Sequence, residues 1–196
     1  VMTLAEDPNL AGLYPFLHGK KQDPLLMNSA LLESVGQKAA HHQKVIDAFF
    51  AANGQEVVAA AGAIADVYRG NGRLFTMGNG GSSCDAAHVA VEFLHPITAG
   101  RVALTAIDLT ADRTMMTAVA NDVGFKHVFV RQLIAQARPG DGLVGISTSG
   151  NSDNLVKAFV KAKEMGVTTV GLAGMSGGEM AKLGLDHCLV VETDSI

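Results

Sequence analysis

Between residues 25 and 53, apolar side chains recur at spacings near three, four and seven. Leu31, Val35, Ala39, Ile46, Phe49 and Phe50 fall on one stripe, the pattern of an amphipathic helix. Asn53-Gly54 predicts its end, and the alanine-rich residues 55–69 predict a second helix. After the turn Gly70-Asn71-Gly72 the period changes. Residues 73–77, 102–107, 143–147, 167–173 and 188–191 are short, nearly continuous apolar runs. Helical stretches separate them at 84–94, 111–120 and 125–137, in a segment opened by residues 148–152 and running to 165, and at 177–183. Pro96 stops the first of these, and Pro139-Gly140-Asp141-Gly142 turns the chain into the third run. Apolar strands alternating with helices predict a parallel sheet covered on both faces. The expected fold class is α/β: a doubly wound parallel sheet flanked by helices and preceded by two N-terminal helices. Residues 1–24, with Pro8, Pro15 and Pro24 and no sustained period, predict an irregular arm, packed through Tyr14, Phe16 and Leu17 on the body or on a second subunit. Residues 25–196 read as one domain.

Sheets of this class bind ligands outside the carboxyl ends of their strands, and two unusual loops fall there. The first is Gly78-Asn79-Gly80-Gly81-Ser82-Ser83, running into Cys84-Asp85-Ala86-Ala87-His88. Glycines between a strand and a helix let backbone N–H groups converge on an anion at the positive helix end; a tight turn without ligand is the competing reading. It is not a Walker A loop, since no Gly-Lys-Ser/Thr follows. It also misses the dinucleotide fingerprint, with Ser83 where the third glycine belongs. The second loop is Ser147-Thr148-Ser149-Gly150-Asn151-Ser152. N-capping explains one hydroxyl but not four in six residues; four beside helix-opening amides make a phosphate cradle. Two cradles on one sheet edge suit a ligand with a phosphate at one end and hydroxyls along its length.

His88 and Glu92 follow the first loop at i and i+4, one turn apart on one helix face. They could share a divalent metal, the carboxylate could act as a base, or the pair could be a plain surface hydrogen bond. Asn121-Asp122 is a polar break that reads equally as a helix end or a ligand contact. Adjacent His41 and His42 face different directions and read as solvated surface. Composition narrows the field. The 196 residues are 48% hydrophobic and 17% charged with a net charge of −4, and no Lys/Arg cluster argues for nucleic acid. Cys84 and Cys188 form no C-x-x-C pair and read as reduced thiols. No consecutive apolar run reaches the roughly 18 residues of a membrane span, and residues 1–10 lack the order of a signal peptide. The expectation is a cytoplasmic protein.

These residues carry a resemblance. The chain resembles the sugar isomerase (SIS) domain family and, within it, the bacterial phosphoheptose isomerases. The likeness covers residues 73–191 and rests on Gly78-Asn79-Gly80-Gly81-Ser82, on Asp85, His88 and Glu92, on Ala120-Asn121-Asp122, and on Gly145-Ile146-Ser147-Thr148-Ser149-Gly150-Asn151-Ser152. It implies conversion of sedoheptulose 7-phosphate to a manno-heptose 7-phosphate, feeding surface-heptose synthesis. It further implies a homotetramer with shared active sites, and zinc as a cofactor. On this likeness Ser147, Thr148, Ser149 and Ser152 hold the phosphate, while Asn79, Gly80, Gly81, Asn121 and Asp122 contact the sugar. His88 and Glu92 are the metal ligands, and Glu92 is the base moving a proton between C1 and C2. Two departures stand out. Phe93-Leu94-His95-Pro96 replaces a Thr-Gly-Arg-like segment, and the sequence given stops at Thr193-Asp194-Ser195-Ile196, before the family's terminal helix with its further glutamine and histidine. The expectation is that the gene product continues; the alternative is a non-catalytic relative that binds phosphosugars or associates with a replication initiator.

Overall fold

The structure is a computed structural model describing residues 24–193, with side chains from residue 28. The expected arm, including Tyr14, Phe16 and Leu17, lies outside the described residues apart from Pro24. The chain divides into two compact units, residues 1–46 and 47–196. Their boundary falls inside one continuous helix, α1 (Pro24–Arg69). The expected break at Asn53-Gly54 is absent. Asn53 Nδ2 donates to Phe49 O within the helix, and a helical glycine costs only about 1 kcal/mol, which burial of Ala60 and Val67 further along offsets. In the first unit α1 exposes Leu31, Leu32, Val35 and Ile46. Over one 18-residue window α1 reaches a mean hydropathy of 1.2, so by length and composition it meets the test for a membrane span, though not as a consecutive apolar run.

The second unit holds five parallel strands: β1 (Leu74–Gly78), β2 (Ala106–Asp108), β3 (Gly142–Ser147), β4 (Thr168–Gly174) and β5 (His187–Val191). Their spatial order is β2-β1-β3-β4-β5. Between them run α2 (Gly81–Leu94), α3 (Arg113–Asp122), α4 (Val128–Gln136), α5 (Asp153–Glu164) and a short 3₁₀ turn at Met180–Lys182. β2 is shorter than expected. It is an edge strand with partners only at Leu74, Phe75 and Thr76; just before it Thr105 O still accepts from Leu74 N, but Leu104 N donates to Phe93 O of α2 instead of to β1.

Side chains alternate across the sheet, and the core divides accordingly. Leu74, Val144, Ile146 and Val170 face Ala60 of α1 and Ala86 and Ala90 of α2. Phe75, Met77 and Leu143 face α3, α4 and α5 through Val119, Phe129, Leu133, Leu155 and Phe159. Gly145 permits the second layer to approach: a Cβ there would lie 2.5 Å from the Phe159 ring. The helix after β1 thus covers one face and the helix after β3 the other. The reversal opens a crevice at the carboxyl ends of these neighbouring strands, the point where such sheets bind ligands. The doubly wound α/β class stands.

Candidate active site

Both loops named from the sequence end at that crevice. β1 and β3 pair through Gly78 and Ile146 at their carboxyl ends. Gly78 is required there, since a Cβ would sit 2.2 Å from Ser82 O. Gly80 precedes α2 at φ 55° and offers no side-chain cap. Ser83 N donates to Gly80 O, which leaves the amides of Gly81 and Ser82 to solvent or ligand.

The hydroxyl loop is braced from its far side. Thr148 O accepts from Gly174 N, and Gly150 O accepts from Met180 N. Asn151 Oδ1 accepts from Glu179 N at 2.9 Å. Gly150 has φ 65°, and a Cβ there would meet Gly177 O at 2.0 Å, so only glycine fits. Ser152 stands at the N-cap of α5 yet makes no cap hydrogen bond. Its Oγ lies 3.1 Å from Ser147 Oγ instead. Leu155 N and Val156 N donate to Ser152 O, so a hydroxyl turned from its own helix end toward a neighbouring hydroxyl leaves only the first two amides of α5, those of Asp153 and Asn154, for an anion.

Asn79, Ser82, Ile146, Ser147, Thr148, Ser149 and Ser152 line one pocket of about 220 Å³. That is below the roughly 300–1,000 Å³ of sites enclosing drug-sized ligands, and suits one end of a sugar phosphate. Asn79 is joined across the crevice to Asn154 of α5 by two hydrogen bonds of 2.9 Å. Ser82 lines the pocket as well; it stands inside the glycine loop, and its hydroxyl, one residue into α2, was its signal.

The other sequence-expected residues lie apart from this pocket. Gly80 and Gly81 belong to the same turn but do not line it. His88 Nε2 and Glu92 Oε1 are 3.2 Å apart on α2, both well exposed. Glu92 is ten residues on from Ser82, about 15 Å along a helix rising 1.5 Å per residue. Asn121 and Asp122 close α3 on the surface, with Asn121 Nδ2 donating to Asp122 Oδ1 at 3.0 Å.

The SIS domain family matches residues 39–174. The chain belongs to the SIS domain family. It is 46% identical over 129 residues to the phosphoheptose isomerase of Sulfurimonas denitrificans, covering 66% of each protein. To that of Geotalea daltonii it is 40% identical over 153 residues, 78% of this chain and 80% of that one. Among solved structures, phosphoheptose isomerase GmhA from Neisseria gonorrhoeae superposes with a TM-score of 0.79 at 35% identity, over 84% of this chain and 88% of that one. These relatives are named as isomerases, which does not favour the non-catalytic alternative. In SIS terms, the family match includes both loops, His88, Glu92 and Asn121-Asp122.

Proposed function

We propose that this chain is an aldose–ketose isomerase acting on sedoheptulose 7-phosphate and forming a manno-heptose 7-phosphate. The observation that carries the reading is the convergence of the glycine loop and the hydroxyl loop on one small polar pocket, in a chain akin to phosphoheptose isomerases. Ser147, Thr148, Ser149 and Ser152, with the opening amides of α5, hold the phosphate. The sugar runs from there past Asn79, Gly80 and Gly81 along α2, with Asn121 and Asp122 as further contacts.

Glu92 is the base. The hydrogen it removes is acidic because its carbon adjoins a carbonyl. Returning the proton to the neighbouring carbon, with the hydroxyl proton moving between the oxygens, exchanges ketose for aldose. In this reading the charged end of the sugar is anchored near the start of α2 and the reacting end lies further along it.

His88 and Glu92 offer the imidazole nitrogen and carboxylate oxygen that zinc accepts. Among the described residues no third His, Cys, Asp or Glu joins them. A bound zinc would polarise the substrate oxygens. His88 would hold Glu92 in position through the contact at 3.2 Å.

The exposed apolar side chains of α1, Leu31, Leu32, Val35, Ile46, Phe50 and Val58, are covered in this reading by further copies of the chain rather than by lipid. The assembly is a cytoplasmic homotetramer. The deciding experiment incubates the purified protein with sedoheptulose 7-phosphate and follows the aldose product by NMR, with metal analysis of the same sample. Conversion with bound zinc supports the whole reading. No conversion of this sugar, or light scattering that returns a 20.3 kDa monomer, removes the activity or the assembly respectively.

A further inference from the structure

Asn79 lines the pocket; Asn154 does not. Asn154 is the second residue of α5 and is 2% exposed. Its carboxamide closes a ring with that of Asn79, each Nδ2 donating to the other's Oδ1 at 2.9 Å. Its oxygen also accepts from Leu155 N at 3.1 Å, which ties the ring to the first turn of α5. Among the described residues, no other side-chain hydrogen bond joins residues 78–83 to residues 147–154.

The placement of this ring matters. Sheet pairing between β1 and β3 runs out at Gly78 and Ile146. Beyond that point the chains diverge to opposite faces, and the ladder no longer sets the distance between the loops. The amide ring does. A buried carboxamide with both atoms bonded accepts only a planar partner with a donor and an acceptor side by side.

The geometry points to Asn154 as a positioning residue for the phosphosugar site. It holds Asn79, and with it the glycine loop, in register with the hydroxyl loop, so that the amino ends of α2 and α5 face one ligand. This rests on the reading of the pocket as that site. Asn154 touches no substrate and acts through Asn79.

The test measures the dissociation constant of sedoheptulose 7-phosphate by calorimetry, with a melting curve for each variant. Asn154→Leu keeps the volume and removes both bonds, and is expected to weaken binding roughly tenfold or more, two hydrogen bonds' worth. Asn154→Asp separates positioning from mere support. When protonated, its carboxyl both donates and accepts and restores the ring; when ionised it only accepts, and turns an anion toward Asn79 Oδ1. The ratio of variant to wild-type dissociation constants is therefore expected to fall toward unity as pH drops from 8 to 5, about the range in which burial places such a carboxyl. Taking the ratio at each pH removes the pH dependence that the two proteins share. A folded Asn154→Leu protein with wild-type affinity, or an Asn154→Asp ratio that does not move with pH, overturns the proposal. If Asn154→Leu does not fold, the Asn154→Asp profile decides alone. A wild-type protein that binds the sugar phosphate without converting it removes the isomerase reading while the same ratios still judge Asn154. A wild-type protein that binds neither it nor inorganic phosphate overturns both.

Discussion

At the amino ends of the strands, the Asp141 carboxylate accepts from the Arg73 amide and guanidinium and from the Arg138 amide, at 2.8 Å each. Asp186 likewise accepts from Thr169 N and Oγ1 at 2.8 Å, while its own amide donates to Thr169 Oγ1. At the carboxyl ends the polar groups close on fewer partners. Ser152 caps nothing, Gly80 has no side chain to cap with, and Thr148 is exposed. One edge is saturated and the other is open. The contrast separates structure from function better than residue type does, since both edges carry hydroxyls and amides. Burial alone would push the Asp141 and Asp186 carboxyls up. The hydrogen bonds from Arg73 and Arg138, and from Thr169, outweigh it and hold both below the ordinary carboxylate range.

The comparison is broken most severely at the saturated edge. Asp141→Ala strands the Arg73 guanidinium, which is one-third exposed, and is expected to cost about 3 kcal/mol, the low end for breaking a buried pair. Urea denaturation at pH 7 measures it. Because the folded carboxyl titrates below its unfolded value near 3.8, this contribution is present above that pH and is lost as pH falls through the folded value. The gap between wild type and variant should close in acid, and a gap that persists there would assign the effect to packing. Next in size is the exposed end of α2, where Glu92→Gln should keep the sugar phosphate bound while turnover falls ~10²-fold or more, the usual scale for a general base. Stopped assays on both proteins check it, and near-normal turnover removes Glu92 from the mechanism. The smallest effect is away from both edges. Tyr68 stacks on Phe93 and donates to Thr105 O at 3.1 Å, and burial pushes its phenol up to about 12. Tyr68→Phe keeps the ring and should cost about 1 kcal/mol. Absorbance titration of the wild-type protein should show one phenol ionising near that value and lost stability as pH rises toward it, since the neutral form is the one favoured by folding.

Much of this was legible in the chain. The nearly continuous apolar runs at residues 143–147 and 167–173 read as strands of a parallel sheet covered on both faces, and both lie inside the sheet. The two candidate loops were visible for different reasons: glycines between a strand and a helix at residues 78–83, and four hydroxyls in six residues at 147–152, more than capping uses. Four features lay beyond local pattern. Asn53-Gly54 reads as a helix stop, yet packing further along α1 overrides it. The edge strand β2 starts opposite the first residue of β1, Leu74, a limit set by its partner. The Asn79–Asn154 ring and the 2.8 Å contact between His187 and Glu56 join residues far apart in sequence, and each partner taken singly looks like an ordinary polar residue. His88 and Glu92 sit together as their spacing implied.

The central claim is that the hydroxyl loop receives the phosphate of a sugar, and one titration addresses it directly. Sedoheptulose 7-phosphate is titrated into the wild-type protein and into a Ser149→Ala, Ser152→Ala double variant, with melting curves to confirm that both are folded. Each lost hydrogen bond to a charged group is worth about 1.5–3 kcal/mol, so the double variant should bind at least tenfold more weakly with little change in melting temperature. Equal affinity for the two proteins would place the phosphate elsewhere and contradict the account.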